Sequence, residues 1–240
     1  MPFPINEQHP SKNFRSRIRS VILHYTERGF AESLHLLTQG EVSSHYLINE
    51  NTVYRLVDES LCAFHAGESY WQGRSHINDT SIGIEIVHQG FQENENGVQW
   101  LPYSEQQIAM VIALVKDIVI RYQIHPTCVI GHSDIAPHRK VDPGPLFPWK
   151  KLAEQGIGAW HDEAAITKQL KNFSDNEPDI FRLQAHLKRY GYLIQQTGII
   201  DEQTQIVLRA FQMHFRPTNH SGVPDAETCA ILTDLVKRYF

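Results

Sequence analysis

The segment that decides the fold of this chain is Gly131–Pro145, which reads GHSDIAPHRKVDPGP. Its three prolines and two glycines exclude a long helix or a central strand, because proline lacks the backbone N–H that both structures need. The short apolar run Cys128–Ile130 enters the segment and is typical of a buried strand. We therefore expect a stiff loop at the end of a strand, where polar side chains are held in fixed geometry.

This loop carries two candidate metal ligands. His132 and Asp142 are chemically able to bind Zn²⁺, but two ligands do not make a site. The best third candidate is His24, in the apolar run Val21–Thr26, which predicts a second buried strand. Two imidazoles and one carboxylate leave a fourth position open for water, the pattern of catalytic zinc. His138, in the same loop, is the alternative ligand.

Two other residues are candidates for the chemistry. Glu85 lies in the apolar run Ser81–Val87, which predicts a strand buried on both faces, where a carboxylate needs a partner or a function. Close to a metal-activated water, it could accept that water's proton. Lys140 could place positive charge where an oxyanion develops. The structural alternatives are a surface-facing Glu85 and a solvated Lys140.

Composition excludes several classes of protein. A net charge of −5 over 240 residues gives no reason to expect nucleic acid as a partner. No apolar run approaches the length that spans a bilayer. The three cysteines are scattered, without the spacing of a disulfide framework or a CxxC metal site, and we interpret them as buried thiols.

The order of patterns predicts an α/β domain followed by a small helical one. Strand-like runs alternate with helical spacing, most clearly after the helix-capping Ser104, and indicate a mixed sheet flanked by helices. We predict four parts: an extended arm at 1–19, the α/β domain at 20–155, a linker with a short helix at 156–177, and an all-α domain of three helices at 178–240.

The last part contains a repeat. Gly198–Thr204 and Gly222–Thr228 both read G-x-x-D-x-x-T. Each predicts a turn followed by an aspartate that caps the next helix. A domain of about sixty residues has little core of its own unless its helices pack tightly.

Several motifs together resemble a known enzyme family. His24, Ser44–Ile48, Phe64–Gly67, Ser81–Glu85 and the long Gly131–Pro145 loop are similar to segments of the amidase-2 (AmpD/AmiD) family of zinc-dependent N-acetylmuramoyl-L-alanine amidases. The resemblance covers roughly residues 18–152. It implies hydrolysis of the amide between N-acetylmuramic acid, or its 1,6-anhydro form, and L-alanine.

The same resemblance implies roles for individual residues. By matching positions, His24, His132 and Asp142 would hold zinc, Glu85 would be the general base and Lys140 the transition-state stabiliser. Aromatic and amide groups suit a sugar-peptide, and a cation could meet a carboxylate of its peptide. The expected substrate contacts are His45, His65, Trp71, Arg74 and Asn78.

The tail resembles a peptidoglycan-binding domain of the three-helix kind, so the expected partners are peptidoglycan and muropeptides. The two-domain combination is similar to the AmiD type, periplasmic lipoproteins anchored in the outer membrane. Met1–Pro4 opens without a signal peptide, which taken literally indicates cytoplasm. The domain combination instead favours the periplasm, with the membrane reached only through a possible N-terminal lipid anchor.

Two alternatives remain. Some recognition proteins with amidase-like domains bind peptidoglycan without cutting it and have lost a zinc ligand. A lytic amidase of the phage type would be expected to lack the matching glutamate. This chain retains all three ligands and Glu85, which favours an enzyme of the first kind.

Overall fold

The structure is a computed structural model that describes residues 5–95, 97–173 and 178–240. Residues 1–4 of the predicted arm and 174–177 of the predicted linker lie outside the described residues. Residues 5–19 of the arm contain no helix or strand, and bends interrupt them before the first strand begins at Ser20.

The strands form one central sheet and two small ladders. They are β1 (Ser20–Tyr25), β2 (Tyr46–Ile48), β3 (Val53–Arg55), β4 (Tyr70–Trp71), β5 (Arg74–Ser75), β6 (Ser81–Ile86), β7 (Phe91–Asn94), β8 (Gly97–Trp100) and β9 (Val129–Gly131). The sheet has the order β3-β2-β6-β1-β9, with β3 antiparallel to β2 and the other neighbours parallel. The predicted mixed sheet is confirmed.

Among the described residues, two α-helices fall between strands and the other six follow the last strand. They are α1 (Phe30–Gln39), α2 (Glu105–Tyr122), α3 (His132–Ile135), α4 (Trp149–Glu154), α5 (Glu163–Phe173), α6 (Ile180–Tyr190), α7 (Glu202–Phe215) and α8 (Ala226–Tyr239). The predicted cap of α2 is present, because the Ser104 hydroxyl accepts from the backbone of Gln107 at 3.1 Å. The Gln107 amide instead donates to Val87 O at 2.8 Å, so only half of a capping box forms.

Side-chain alternation assigns different neighbours to the two faces of the sheet. Val21 and Leu23 of β1 lie in a core with α2 and α4. Ile22, on the opposite face, belongs to a second core that also contains Trp71 and the buried residues of α6, α7 and α8. His24 shares the Ile22 face, because successive residues of a strand alternate between faces.

Two predictions for the loops differ from the structure. The apolar run Leu61–His65 predicts another strand, but it has no strand pairing. Leu61 and Phe64 are both exposed, so this run is not a buried strand. The stretch Gly90–Gln99 predicts a loop, but most of it belongs to the β7–β8 hairpin.

The G-x-x-D-x-x-T repeat forms two equivalent helix starts. Asp201 caps α7 by accepting from Thr204 N at 3.0 Å, and Asp225 caps α8 by accepting from Thr228 N at 2.9 Å. Both bonds satisfy backbone donors that a helix start leaves unpaired. The repeat in the sequence is therefore a repeat of helix caps.

Each repeat is also held by a buried glutamine from the preceding helix. Gln184 of α6 donates to Thr204 Oγ1 at 2.8 Å and accepts from Gly198 N at 2.8 Å. Gln212 of α7 makes the same pair of bonds to the second repeat, at 3.1 Å and 2.8 Å. These glutamines hold the turns that precede α7 and α8 against the neighbouring helices, which helps to stabilise a small domain.

The helices α6, α7 and α8, called the helical unit below, share a core with the α/β domain. Trp71 packs edge to face on Tyr192 with ring centroids 4.9 Å apart, and its indole N–H donates to Thr127 O at 3.0 Å. Gln72 N donates to Gly191 O at 2.9 Å. In the described ranges 5–95, 97–173 and 178–240, no helix is both long and apolar enough to cross a bilayer.

Candidate metal centre

Three predicted ligands converge at the carboxyl ends of β1 and β9. The Nδ1 atoms of His24 and His132 lie 2.9 Å apart, and each lies 3.1 Å from Oδ2 of Asp142. All three side chains are buried. Within the described part of the chain, this is the one group of three His, Cys, Asp or Glu side chains found close enough to hold a metal ion.

A chain of hydrogen bonds sets the tautomer of His24. The Ser81 hydroxyl donates to Ile77 O at 2.8 Å, so its oxygen accepts from His65 Nε2 at 3.2 Å. His65 Nδ1 then carries a lone pair and accepts from His24 Nε2 at 3.0 Å. His24 Nδ1 is left without a proton and faces the other two ligands.

His132 is oriented in the same way by a carbonyl group. Its Nε2 lies 3.2 Å from Ala66 O and 3.3 Å from Nη2 of Arg139. The two hydrogens of that Nη2 are used by Ala66 O and Glu68 O, so His132 Nε2 donates to Ala66 O. The Nδ1 atom of His132 therefore also presents a lone pair.

The result is three acceptor atoms facing one another without a proton between them. Three lone pairs about 3 Å apart in a buried site repel each other unless a cation lies among them. The spacing also suits one ion, because ligands about 2.0 Å from zinc at tetrahedral angles lie about 3.3 Å from one another. This donor set fits a divalent metal.

Electrostatics agree with neutral imidazoles at His24 and His65 and a charged carboxylate at Asp142. Burial, followed by the nearby His132, lowers the pKa of His24 to about 4. Burial also lowers the pKa of His65 well below its ordinary value. Burial raises the pKa of Asp142, but His132 and His24 outweigh this effect and hold it below its ordinary value. These are the protonation states that metal ligands require.

Asn78 fixes the segment that orients both histidines. Its Oδ1 accepts from the backbone N–H groups of His65 and Ala66 at 3.1 Å and 2.8 Å. His65 orients His24 through its ring, while Ala66 orients His132 through its carbonyl oxygen. A single side chain therefore supports both histidine ligands.

Glu85 lies beside the ligands. It is the register partner of His24 in the parallel β1–β6 pair, so both side chains project from the same face of the sheet. Its Oε2 is inaccessible and has no hydrogen-bond partner among the described residues. Burial, and then the negative charge of Asp142, raise the pKa of Glu85 well above its ordinary value. Such a carboxyl group is suited to exchanging protons.

Lys140 supplies positive charge to the same region. It is half-buried, and its charge opposes the rise in the pKa of Glu85 and contributes to the lowered pKa of His24. Its backbone N–H donates to Ala136 O at 3.0 Å, which fixes its position in the loop. His138, the alternative ligand, is exposed and lies outside the group of three.

Four of the residues predicted as substrate contacts have internal partners in the structure. Both ring nitrogens of His45 are used internally, with Gly83 N at 3.1 Å and Leu61 O at 3.3 Å. His65 and Asn78 support the ligands, and Trp71 lies buried against the helical unit. Burial and internal hydrogen bonds give these side chains structural contacts, and their role in substrate binding stays a prediction.

Arg74 lies at the other end of the sheet. It lines a cavity of about 230 Å³ together with Ser20 and Thr80, at the amino ends of β1 and β6. Four residues of strand separate Ser20 from His24, which is about 13 Å. This position does not support the predicted contact between Arg74 and a substrate at the metal centre.

Sequence reasoning missed the supports of the site. Ser81, Arg139 and Asp134 were all within recognised motifs, but no role was assigned to them. Ser81 starts the hydrogen-bond chain to His24, Arg139 binds the carbonyl that orients His132, and Asp134 Oδ2 accepts from Gly131 N at 2.8 Å. Their presence in the motifs was the one available signal.

Comparison with known families gives two matches. The family described as N-acetylmuramoyl-L-alanine amidase matches residues 14–145. The family described as putative peptidoglycan binding domain matches residues 176–232. Together the matched residues contain the metal centre and most of α6–α8.

The relatives match different shares of the chain. The N-acetylmuramoyl-L-alanine amidase AmiD of Escherichia coli (strain K12) is 44% identical over 232 residues, which is 93% of this chain and 84% of the relative. The 1,6-anhydro-N-acetylmuramyl-L-alanine amidase AmpD of Escherichia coli (strain K12) is 37% identical over 124 residues, 51% of this chain and 61% of the other.

Two solved structures have the same fold over nearly the whole chain. E. coli AmiD in complex with the substrate anhydro-N-acetylmuramic acid-L-Ala-D-gamma-Glu-L-Lys has a TM-score of 0.91 and 40% identity, covering 99% of this chain and 96% of that one. AmpDh3 of Pseudomonas aeruginosa in complex with anhydromuramic pentapeptide has a TM-score of 0.91 and 39% identity, covering 99% and 98%.

Proposed function

This chain belongs to the N-acetylmuramoyl-L-alanine amidase family, and we propose that it performs the family's hydrolysis with a zinc ion held by His24, His132 and Asp142. The observation that carries the proposal is the convergence of three buried acceptor atoms within 3.1 Å of one another. The bond it hydrolyses is the amide that joins N-acetylmuramic acid to L-alanine.

Zinc is the metal that the donor set favours. Two imidazole nitrogens and one carboxylate oxygen on a rigid frame are typical of catalytic zinc sites, which keep a fourth position open. When bound, zinc would supply Lewis-acid activation of water and of the scissile carbonyl. The protein's part is to present the three ligands in the correct tautomers, which the chain from Ser81 to His24 and the Ala66 carbonyl achieve.

Glu85 acts as the general base and then as the general acid. Its carboxylate takes a proton from the attacking water as the water oxygen bonds to the carbonyl carbon. It returns that proton to the nitrogen of L-alanine as the carbon–nitrogen bond breaks. Because its Oε2 is inaccessible and has no hydrogen-bond partner among the described residues, Glu85 holds a proton more readily than an exposed carboxyl group, which suits both steps.

Lys140 stabilises the negative charge that develops on the carbonyl oxygen. Its backbone is held in the stiff Gly131–Pro145 loop by a bond to Ala136, which fixes the point from which the side chain reaches the site. A preorganised cation of this kind acts most strongly where water is excluded.

The substrates are peptidoglycan and its fragments, including muropeptides with the 1,6-anhydro end. Support comes from the matched peptidoglycan-binding family and from the anhydromuramyl ligands bound by E. coli AmiD and P. aeruginosa AmpDh3. The same domain combination leads us to propose a periplasmic location with an outer-membrane lipid anchor on the full-length protein. Cell fractionation of the native protein, with and without its amino-terminal lipid, tests that location.

The test of function uses purified protein and anhydro-N-acetylmuramic acid-L-Ala-D-gamma-Glu-L-Lys. We expect mass spectrometry to detect the sugar acid and the free tripeptide, with activity lost on chelation and restored by zinc. His132→Ala should abolish zinc binding, whereas His138→Ala, an exposed histidine of the same loop, should behave as wild type. Binding without cleavage by the zinc-loaded protein would favour the recognition-protein alternative, and cleavage that survives rigorous chelation would exclude the metal.

A further inference from the structure

The carboxylate of Asp134 joins the metal loop to the helical unit. Asp134 is 1% exposed and lies two residues after the ligand His132, in the short helix α3. Its Oδ1 accepts from Tyr192 Oη at 2.5 Å, and its Oδ2 accepts from His214 Nδ1 at 2.8 Å. A buried carboxylate is stable only when such donors satisfy it, so both contacts matter for its position.

Asp134 also determines the shape of the loop around the ligands. Its Oδ2 accepts from Gly131 N at 2.8 Å, which closes the turn that contains His132. Ser133, which follows His132 in this turn, donates its backbone N–H to Asp142 O at 2.8 Å. Two of the three metal ligands are therefore attached to the turn that Asp134 holds.

The two donors are themselves held firmly. The ring of Tyr192 packs against Trp71, and the ring of His214 stacks on Trp149 with centroids 3.8 Å apart and an interplanar angle of 16°. Tyr192 lies between α6 and α7, and His214 lies near the end of α7. The helical unit thus reaches the metal loop through two rigid aromatic side chains.

We propose that Tyr192 and His214 are positioning residues of the amidase, which hold Asp134 and through it the ligand His132. The helical unit then has a second role in addition to binding peptidoglycan: it keeps the metal centre in its ligating geometry. This inference rests on the proposed zinc site, and metal affinity and loop dynamics can test it without any substrate.

The main experiment measures zinc affinity of the full chain by competition with a chromophoric chelator. Tyr192→Phe removes one hydroxyl group and keeps the ring that packs on Trp71. We expect its zinc affinity to fall about tenfold, the lower end of the range for residues that orient metal ligands. His214→Leu should have a similar effect, and His214→Asn, which keeps a donor near the position of Nδ1, should recover most of the loss.

A matched control distinguishes the loss of the contacts that hold Asp134 from a general loss of stability in the helical unit. Gln212 lies on α7 two residues before His214 and is fully buried, but the bonds of its side chain are to Gly222, Val223 and Thr228 of the same unit. Gln212→Met should lower the melting temperature and leave zinc affinity unchanged. Equal losses of affinity in Gln212→Met and Tyr192→Phe, or wild-type affinity in Tyr192→Phe, would overturn the inference.

Amide hydrogen exchange of the metal-free protein gives a second measurement. Exchange at Gly131 and Ser133 should become faster in Tyr192→Phe and should stay at the wild-type rate in Gln212→Met. A wild-type protein that binds no zinc would refute the proposed metal site, whereas the exchange comparison would still decide whether the helical unit holds the loop. Unchanged exchange at both amides in Tyr192→Phe would refute the inference alone.

Discussion

The ring of His65 lies directly against Gly83 of β6: a β carbon placed on Gly83 would be 2.3 Å from Cγ of His65. No side chain larger than hydrogen fits there while His65 keeps its bond to His24. The glycine in the Ser81–Glu85 motif is therefore required by a histidine that supports the ligand His24.

Gly83→Ala should weaken zinc binding without abolishing the fold. The methyl group displaces His65, so His24 Nε2 loses its acceptor and the ligand loses its fixed orientation. We expect roughly a 10- to 100-fold loss of zinc affinity, measured by chelator competition. Gly29→Ala is the control, because no atom lies within 4 Å of its added β carbon. Wild-type affinity in Gly83→Ala would show that His65 does not orient His24.

Glu85→Gln should remove catalysis and keep the metal. The amide has nearly the shape of the carboxylate but cannot accept the proton of water, so kcat should fall by roughly 10²- to 10⁴-fold. Zinc content, measured by atomic absorption, should remain at the wild-type level. Glu27→Gln is the control and should keep a kcat near wild type. Glu27 is an exposed carboxylate just after β1, and it lies close enough to Glu85 to influence the pKa of that residue. A Glu85→Gln enzyme with more than about a tenth of wild-type kcat would refute the base assignment.

Lys140→Met should lower kcat more than it raises KM. The variant keeps most of the side chain's length and loses the ammonium group that stabilises the developing oxyanion. By analogy with removal of one oxyanion donor, kcat should fall by roughly 10²- to 10³-fold. Lys140→Arg should restore part of the rate, and Lys151→Met, at an exposed lysine paired with Glu105, should match wild type. A change confined to KM would instead identify Lys140 as a substrate-binding group.

Glu59→Gln should destabilise the fold in a pH-dependent way. Arg121, together with the hydroxyl groups of Tyr46 and Tyr122, outweighs burial and lowers the pKa of Glu59 from 4.5 to about 2. Because the folded state holds this proton less tightly, the stabilisation is complete above the unfolded pKa of 4.5 and is lost as pH falls toward 2. We expect a cost of about 2 kcal/mol at pH 7.

Urea unfolding at several pH values measures this difference. The gap in unfolding free energy between wild type and Glu59→Gln should narrow steadily below pH 4.5. Asp117→Asn alters an exposed partner of the same Arg121 and should change stability by less than about 1 kcal/mol. A difference in unfolding free energy that stays constant down to pH 3 would mean that the charge of Glu59 contributes nothing to stability.

Much of the fold follows from patterns that are local in the chain. The helix after Ser104 and the two capped helices after Asp201 and Asp225 are determined by apolar spacing and by caps within three residues. The loop Gly131–Pro145 is excluded from regular structure by its own prolines and glycines. Short-range sterics and hydrogen bonding decide these features, so the sequence is sufficient to predict them.

His24, His132 and Asp142 lie together as the sequence predicts, whereas the residues that orient them were not predicted. His24, His45, His65 and His132 are all buried histidines, and nothing in their immediate neighbours separates ligand from support. What separates them is which ring nitrogen meets which acceptor, over separations of 16 to 118 residues along the chain. Such contacts exist only after the strands have paired in register.

The sequence by itself determined the composition of this protein's site: two imidazoles, two carboxylates and a lysine on apolar strands and a stiff loop, together with a tail of capped helices. Only the tertiary structure decided that the tail shares a core with the α/β domain, and that Tyr192 and His214 bind the carboxylate beside the metal loop. The physical reason is the separation of the interacting residues along the chain. Helix caps and turns are fixed by residues close in sequence, whereas ligand orientation is fixed by side chains that only folding brings together.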